Sequence, residues 1–578
     1  MSDHYNKDIC GMHDLGAMLN AYPDSVGQNL NDMVSLLQKP ELKDSFKAFY
    51  ILPSVFNTDL DRGFSVIDYD LNQMLATEEN FENFKKLGIA LKLDFVLNHA
   101  SVLSAQFRDI LTNGSQSVYA DFFIDWNKFW EGYGSMTDEG YIQPDEEYLR
   151  HMFFRKPGLP ILSVNLPDGA TKFLWNTFYQ EVRYDHIDAH DLVLGADMQY
   201  AAALKLAEQI NNALDRGDPP EKIDFGSFIP FRNQVLKLLR SRCKYLGQID
   251  LNIKSPLVWD YYRQTLKRLA AYGAAIIRLD AFAYAPKAPG TRNFLNDPET
   301  WELLSQIREI ADADSLTLLP EIHSEYHEKT HEKLAQNGYM TYDFFLPGLI
   351  IHALEKHTPV YLHRWIRDIQ AKGIAVVNML GSHDGIPLLD LRGLLPNEEI
   401  DEMIKIIVAR GGYVKDLHGN ANMYYQVNAT YYSALGEDDR KMLLARAIQL
   451  FMPGKPQVWY LDLFCGKNDH EAVMRAGVGG HKEINRTNLT SEQVEAALSS
   501  ETVKAQLEML RFRNTFAAFD FDSELFVESP TETALSLRWQ KQGYTACLTA
   551  DLHSYEYSMT GTGPDGSLIF QKSTYDRR

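Results

Sequence analysis

The sequence predicts an α/β protein built on a (β/α)8 barrel, with a domain inserted after the third strand and a small antiparallel β domain at the end. Three observations predict it. Short apolar runs alternate eight times with longer amphipathic stretches. Residues 100–249 interrupt the third alternation with a segment of different character. Beyond residue 512 the period changes to two, as in Thr533-Ala534-Leu535-Ser536-Leu537-Arg538-Trp539.

Each strand is read from a run of β-branched or aromatic residues that stops at a polar or turn-forming one. The first is Ala17–Ala21, before Tyr22-Pro23-Asp24, and the second is Ala48–Leu52, before Pro53. The third, Ala90–Val96, leads into Leu97-Asn98-His99, and the fourth, Ala275–Asp280, ends on its own carboxylate. The fifth is Leu316–Leu319, then Pro320-Glu321; the sixth lies around Thr341–Phe344. The seventh, Ile374–Leu380, runs into Gly381-Ser382-His383-Asp384, and the eighth is Gln457–Tyr460. Helices fill the intervals. Val258, Tyr262, Leu266 and Leu269 lie at offsets of four, four and three, one face of a helix that Gly273 closes. Pro298-Glu299-Thr300 opens the next.

The expected division is a barrel of residues 1–99 and 250–512, an inserted domain of 100–249, an excursion at 385–445 after the seventh strand, and a β domain of 513–578. Within the inserted domain, a helical insertion at about 180–245 reads as a hairpin of two helices, around Ala201–Ala207 and Val235–Leu239. It is read either as a homodimer contact or as a lid.

The chain has 578 residues, 57 basic and 78 acidic side chains, and a net charge of −21. Such a surface repels nucleic acid and anionic membranes. The four cysteines, Cys10, Cys243, Cys465 and Cys547, form no C-x-x-C pair, which argues against a disulfide framework or zinc site. The polar N-terminus lacks the pattern of a signal peptide, and no run reaches the roughly 18 apolar residues of a membrane span. A cytoplasmic protein without metal or cofactor is expected.

In such a barrel the working residues sit at the C-terminal ends of strands. Arg278 and Asp280 are two apart and point to one side. The cation is expected to keep Asp280 ionised, as a glycosidic nucleophile must be. Glu321, at the mouth of the fifth strand among other carboxylates, is expected to hold a proton, as a general acid must. His383 and Asp384 end the seventh strand; Asn98 and His99 end the third. Each also has a plainer reading. A lone Asp at a strand end is commonly a turn or cap residue. Asp94 reads as a structural partner of nearby backbone, the Arg278–Asp280 pair as a structural ion pair, and Lys287 as a solvated charge. The four sites in barrel order favour the chemical reading.

Together the motifs Asp94-Phe95-Val96-Leu97-Asn98-His99, Arg278-Leu279-Asp280, Pro320-Glu321-Ile322-His323 and Ser382-His383-Asp384 resemble those of the α-amylase superfamily, glycoside hydrolase family thirteen. The resemblance implies Asp280 as nucleophile, Glu321 as acid/base and Asp384 as the carboxylate that binds sugar hydroxyls, with Arg278, His99 and His383 around the glucose. It narrows to the sucrose phosphorylase subgroup through Asp61-Arg62-Gly63-Phe64, Asp280-Ala281-Phe282-Ala283-Tyr284, Tyr425-Gln426-Val427-Asn428 and Glu483-Ile484-Asn485-Arg486. By that likeness Asp61, Phe64 and Arg486 belong to the glucose subsite, and Tyr284, Tyr425, Gln426, Arg155 and Lys156 to a shared phosphate and acceptor site. The implied reaction is phosphorolysis of sucrose to α-glucose 1-phosphate and fructose, with inorganic phosphate as co-substrate and a glucosyl-Asp280 intermediate. Alternatives within the resemblance are a phosphorylase of sucrose 6-phosphate, glucosylglycerol or glucosylglycerate, a retaining glucosidase or transglucosylase, and a non-catalytic amylase-like binding protein. The chain departs from the subgroup at Met423, where an acceptor-loop Asp is common, at Thr487, which replaces a His, and at His481-Lys482, which replaces Gly-Arg. The departures bear on the acceptor rather than on the glucose subsite.

Overall fold

Eight short strands make one parallel sheet: β1 Met18–Ala21, β2 Ala48–Ile51, β3 Ala90–Val96, β4 Ala274–Asp280, β5 Thr317–Pro320, β6 Thr341–Asp343, β7 Val376–Met379 and β8 Lys455–Trp459. Their order is β5-β4-β3-β2-β1-β8-β7-β6. Neighbours in sequence are neighbours in space, β1 meets β8, and the seam lies between β5 and β6: a near-closed (β/α)8 barrel. Every residue of β1, β2, β7 and β8 is buried, as strands between a packed interior and an outer ring of helices must be.

The computed structural model describes residues 15–152, 154–155, 158–416, 424–477 and 480–574. They fall into two units. One takes in the chain up to Asn98, Trp259–Lys287 and everything from Arg292; the other is His99–Val258 with Ala288–Thr291.

From Trp259 on, the helix Pro256–Ala271 belongs to the first unit; it buries Tyr262, Leu266 and Leu269, and the Tyr262 hydroxyl donates to the Leu97 carbonyl at 2.6 Å, pinning it to the end of β3. The eighth strand starts two residues earlier than the sequence reading placed it. Pro456 lies inside it, near its start, where the missing N–H is tolerated. After β7, the strands Tyr413–Asp416 and Tyr424–Asn428 pair antiparallel with each other, and Ile386–Pro387 joins them; Met423 lies outside the described residues. Tyr431 is core, its hydroxyl on the Pro347 carbonyl, whereas Tyr432 is half-exposed. The chain closes with β9 Glu524–Glu528, β10 Ala534–Lys541, β11 Tyr544–Asp551, β12 Glu556–Thr562 and β13 Leu568–Ser573, an antiparallel meander. Along β10, Leu535, Leu537 and Trp539 alternate inward, and the Trp539 indole donates to the Phe451 carbonyl at 2.8 Å.

In the second unit, Gln180–Tyr184, Cys243–Asp250 and His99–Ser101 form a three-stranded sheet, and Ile161–Asn165 pairs with Thr171–Trp175. Trp126, Trp130 and Trp175 fill one core. The helical insertion has three helices rather than the expected two: Ala189–Ala196, Tyr200–Asp215 and Arg232–Ser241. They enclose a core of their own around Leu192, Leu206, Ile210, Val235 and Leu239. The missed helix has a capping box built from Asp188 and Asp191, so the Glu or Gln that usually signals such a start is absent. Among the described residues no helix is long and apolar enough to cross a membrane.

Candidate active site

Strand register assembles the centre. Arg278 on β4 lies beside Asp94 on β3, and Leu279 beside Pro320 on β5, so Glu321 emerges level with Asp280. Arg278 is almost fully enclosed. Its Nη1 is 3.1 Å from Asp280 Oδ1 and its Nη2 is 2.6 Å from Glu321 Oε2. Nη1 also donates to Asp94, whose carboxylate accepts the Tyr50 hydroxyl at 2.8 and 3.0 Å. Asp94 is thus a buttress beneath Arg278, not a partner of backbone.

The charge balance at Asp280 corrects the sequence expectation. Burial pushes its carboxyl well above the usual carboxylate range; Arg278 pulls it down, while Glu321, Asp94 and Asp384 push it further up. The guanidinium does not prevail because burial, with the neighbouring carboxylates added to it, outweighs its pull.

Asp384 sits on a loop whose backbone is gripped at four successive residues. Asp462 accepts from the Gly381 N–H at 2.9 Å, Asn485 donates to the Ser382 carbonyl at 2.6 Å, Arg486 Nε to that of His383 at 2.9 Å, and Asn428 to that of Asp384 at 2.7 Å. The Asp384 carboxylate meets Lys482 Nζ at 2.6 Å, His383 Nε2 at 3.3 Å and Arg486 Nη2 at 3.5 Å. Burial raises its pKa, but His383, Lys482 and Arg486 outweigh burial and hold it well below the usual range. Burial pushes the His383 imidazole well below its normal value, while Asp384 pulls it back up. Its ring stacks on Phe64 at 5.1 Å and 13°, and the Arg278 guanidinium lies 5.3 Å from the same phenyl ring. Asp61, in a left-handed turn, has Oδ1 3.8 Å from Arg486 Nη1. Asp61, Phe64, Arg278, His383, Asp384 and Arg486 are therefore brought together.

Other expected residues fall differently. Tyr284 is buried with its ring 4.7 Å from Phe294. Lys287 is not a solvated charge; it is buried and donates to Asn98 at 2.9 Å and to the Tyr284 carbonyl. Gln426 is buried with Nε2 3.4 Å from His323 Nε2. His99 and Arg155 belong to the second unit, with the His99 ring 4.8 Å and the Arg155 guanidinium 5.3 Å from the Phe178 ring. Lys156 lies outside the described residues, as does the Tyr425 side chain.

Three side chains at this centre were not singled out from sequence. Lys482 was visible only as a departure from the subgroup pattern. Tyr22, directly after β1, carries Arg62 at 4.3 Å and Arg486 at 5.7 Å over its ring; its place at a C-terminal strand end was the available signal. His323 stacks on Phe344 at 3.8 Å with Nδ1 3.3 Å from Asp390; burial lowers its pKa, but Asp390 more than compensates and the net direction is up.

No protein-family model matches the chain. A sucrose 6(F)-phosphate phosphorylase of Ilumatobacter coccineus is 49% identical over 553 residues, covering 94% of this chain and 95% of its own. The chain belongs to the sucrose phosphorylase family. A sucrose phosphorylase of Streptococcus mutans is 30% identical over 560 residues, covering 96% and 98%. The crystal structure of sucrose 6F-phosphate phosphorylase from Thermoanaerobacter thermosaccharolyticum has a TM-score of 0.79 and 30% identity, covering 98% and 99%. An α-amylase from H. orenii, at TM-score 0.58 and 15% identity, shares the fold. As a sucrose phosphorylase-type protein the chain is an enzyme, a glycoside phosphorylase.

Proposed function

We propose that this phosphorylase works by double displacement at Asp280, with sucrose 6F-phosphate as the glucosyl donor. The Asp280 carboxylate attacks the anomeric carbon as the glycosidic C–O bond breaks, and Glu321 gives its proton to the leaving fructosyl oxygen. A phosphate oxygen then attacks the same carbon, Glu321 takes the phosphate proton, and the ester bond to Asp280 breaks. Two inversions return α-glucose 1-phosphate. Asp384, held ionised, accepts hydroxyls of the glucosyl ring, and Asp61, Phe64, His383 and Arg486 complete its surroundings. Arg155, Lys156, Tyr284, Tyr425 and Gln426 are assigned to phosphate and acceptor, and no cofactor is required.

One observation carries the mechanism: a single guanidinium joins Asp280 and Glu321. Partners on the two nitrogens of one planar fork stand a few ångströms apart, the class of spacing a retaining pair needs, about 5–5.5 Å. Arg278 offsets only part of the upward push of burial on the Asp280 carboxyl, so the acid limb of activity should lie above the ordinary carboxylate range. The relative at 49% identity supports this donor; sucrose, supported by the relative at 30%, is the second reading.

Incubation with either donor, with and without phosphate, tests this. Phosphate-dependent α-glucose 1-phosphate, formed faster from sucrose 6F-phosphate, is expected. Phosphate-independent release of glucose, or a β-anomer, would contradict it.

A further inference from the structure

Lys482 stands where the subgroup pattern has an arginine, and it lies on the short helical stretch Gly480–Asn485. Three residues within 482–486 hold the Asp384 loop: Asn485 grips the Ser382 carbonyl, Arg486 the His383 carbonyl, and Lys482 the Asp384 carboxylate itself. Two of these grips are on backbone; that of Lys482 is on the functional group.

Asp384 is the one hydrogen-bond acceptor of Lys482 among the described residues, at 2.6 Å. An ammonium has three donors, so two remain. The Lys482 side chain is 29% exposed, against 5% for His383 and 2% for Arg486, so it is the open-side member of the group around Asp384. A guanidinium would lay a planar fork along the carboxylate and occupy both oxygens, whereas a lysine binds one and leaves its other N–H groups splayed outward.

We infer that Lys482 is a positioning and specificity-determining residue of the sugar pocket: it fixes Asp384 through Oδ1 and offers its remaining N–H groups to the hydroxyls that Asp384 accepts. The inference rests on the proposed role of Asp384.

Charge supports the geometry. The charged or titratable groups against Asp384 are His383, Lys482 and Arg486, while the Asn428 that meets its backbone carries no charge. Asp280, Tyr22 and His323 also feel its field. Asp384 is among the groups that raise the Asp280 carboxyl, so a cation on Asp384 also eases the ionisation of Asp280.

The test is the pH dependence of kcat/KM for phosphorolysis in Lys482→Met, Lys482→Arg and Asp384→Asn, with thermal melts confirming the fold. Lys482→Met should lower kcat/KM by about 10- to 100-fold, the range of one charge-assisted hydrogen bond, and move the acid limb to higher pH. Lys482→Arg should restore the limb because it restores the charge. An unchanged Lys482→Met profile overturns the inference. So does an equal loss in both lysine variants with the limb unmoved, which marks a merely structural role. Asp384→Asn near wild-type activity would remove the reading of Asp384 and the inference with it, whereas an inactive Asp384→Asn beside a wild-type Lys482→Met removes the inference alone.

Discussion

Replacing Asp94 by Asn should damage catalysis without touching a group that meets the sugar. The change keeps shape and one carbonyl acceptor but removes a fully buried charge. Its carboxylate takes the Tyr50 hydroxyl and Arg278 Nη1. Hydrogen bonds to a charged group contribute about 1.5–3 kcal/mol each. Breaking a buried pair outright costs about 3–5 kcal/mol. Two features hold the loss below that: Arg278 keeps Asp280 and Glu321, and burial already pushes the Asp94 carboxyl upward against Arg278 and Tyr50. Asp94→Asn should therefore lose about 2–3 kcal/mol. The released guanidinium shifts toward the two carboxylates at the mouth, and a displacement of about 1 Å at such a centre costs on the order of 100-fold in rate. Urea unfolding measures the first quantity and steady-state phosphorolysis the second. A variant within about 0.5 kcal/mol of wild type, the usual scatter of neutral substitutions, and with unchanged kcat would refute the buttress argument.

His331 is a buried ring with neither nitrogen bonded among the described residues, packed between Tyr326, Phe345 and Trp365. Burial pushes its pKa from 6.5 down to about 4, so the folded state favours the neutral ring. Its contribution is complete above pH 6.5 and is lost as pH falls toward 4, by roughly 3 kcal/mol in all; His331→Phe should flatten this part of the stability–pH curve, and an identical curve would exclude His331 as the cause. Gly63, at φ +123°, has room for no Cβ: one would lie 2.3 Å from the Ser54 nitrogen and 2.7 Å from the Pro53 carbonyl carbon. Gly63→Ala should displace the Asp61–Phe64 loop and cut kcat/KM by about tenfold or more. Gly88→Ala, at φ +70° with nothing within 4 Å, is the control and should cost only about 1 kcal/mol of backbone strain; equal effects would refute the steric account.

The barrel was legible because its strands are continuous apolar runs ending in charge, a pattern that survives without neighbours in space. Boundaries slipped where one residue type served an unusual place, as Pro456 did inside β8. The three carboxylates were legible from their motifs, but their electrostatics were not. Arg278 two residues from Asp280 suggests a private ion pair; only the fold shows that Asp94 and Glu321, from the strands on either side, divide the same cation. The clamp on the Asp384 loop was likewise hidden, because Asp462, Asn485 and Asn428 come from separate segments with no shared spacing. Lys482 was visible as a departure from the subgroup pattern, but its contact with Asp384 was not.

The claim that Asp280 becomes glucosylated is tested most directly by trapping. Glu321→Gln cannot protonate a leaving group, so α-glucosyl fluoride, which needs no protonation, should load the enzyme while turnover stalls. Peptide mass spectrometry should then find one glucosyl unit on the peptide containing Asp280, absent in the Asp280→Asn partner variant and removed by a strong anionic nucleophile such as azide. A glucosyl unit on any other residue, or no adduct while glucose 1-phosphate still forms, would contradict the account.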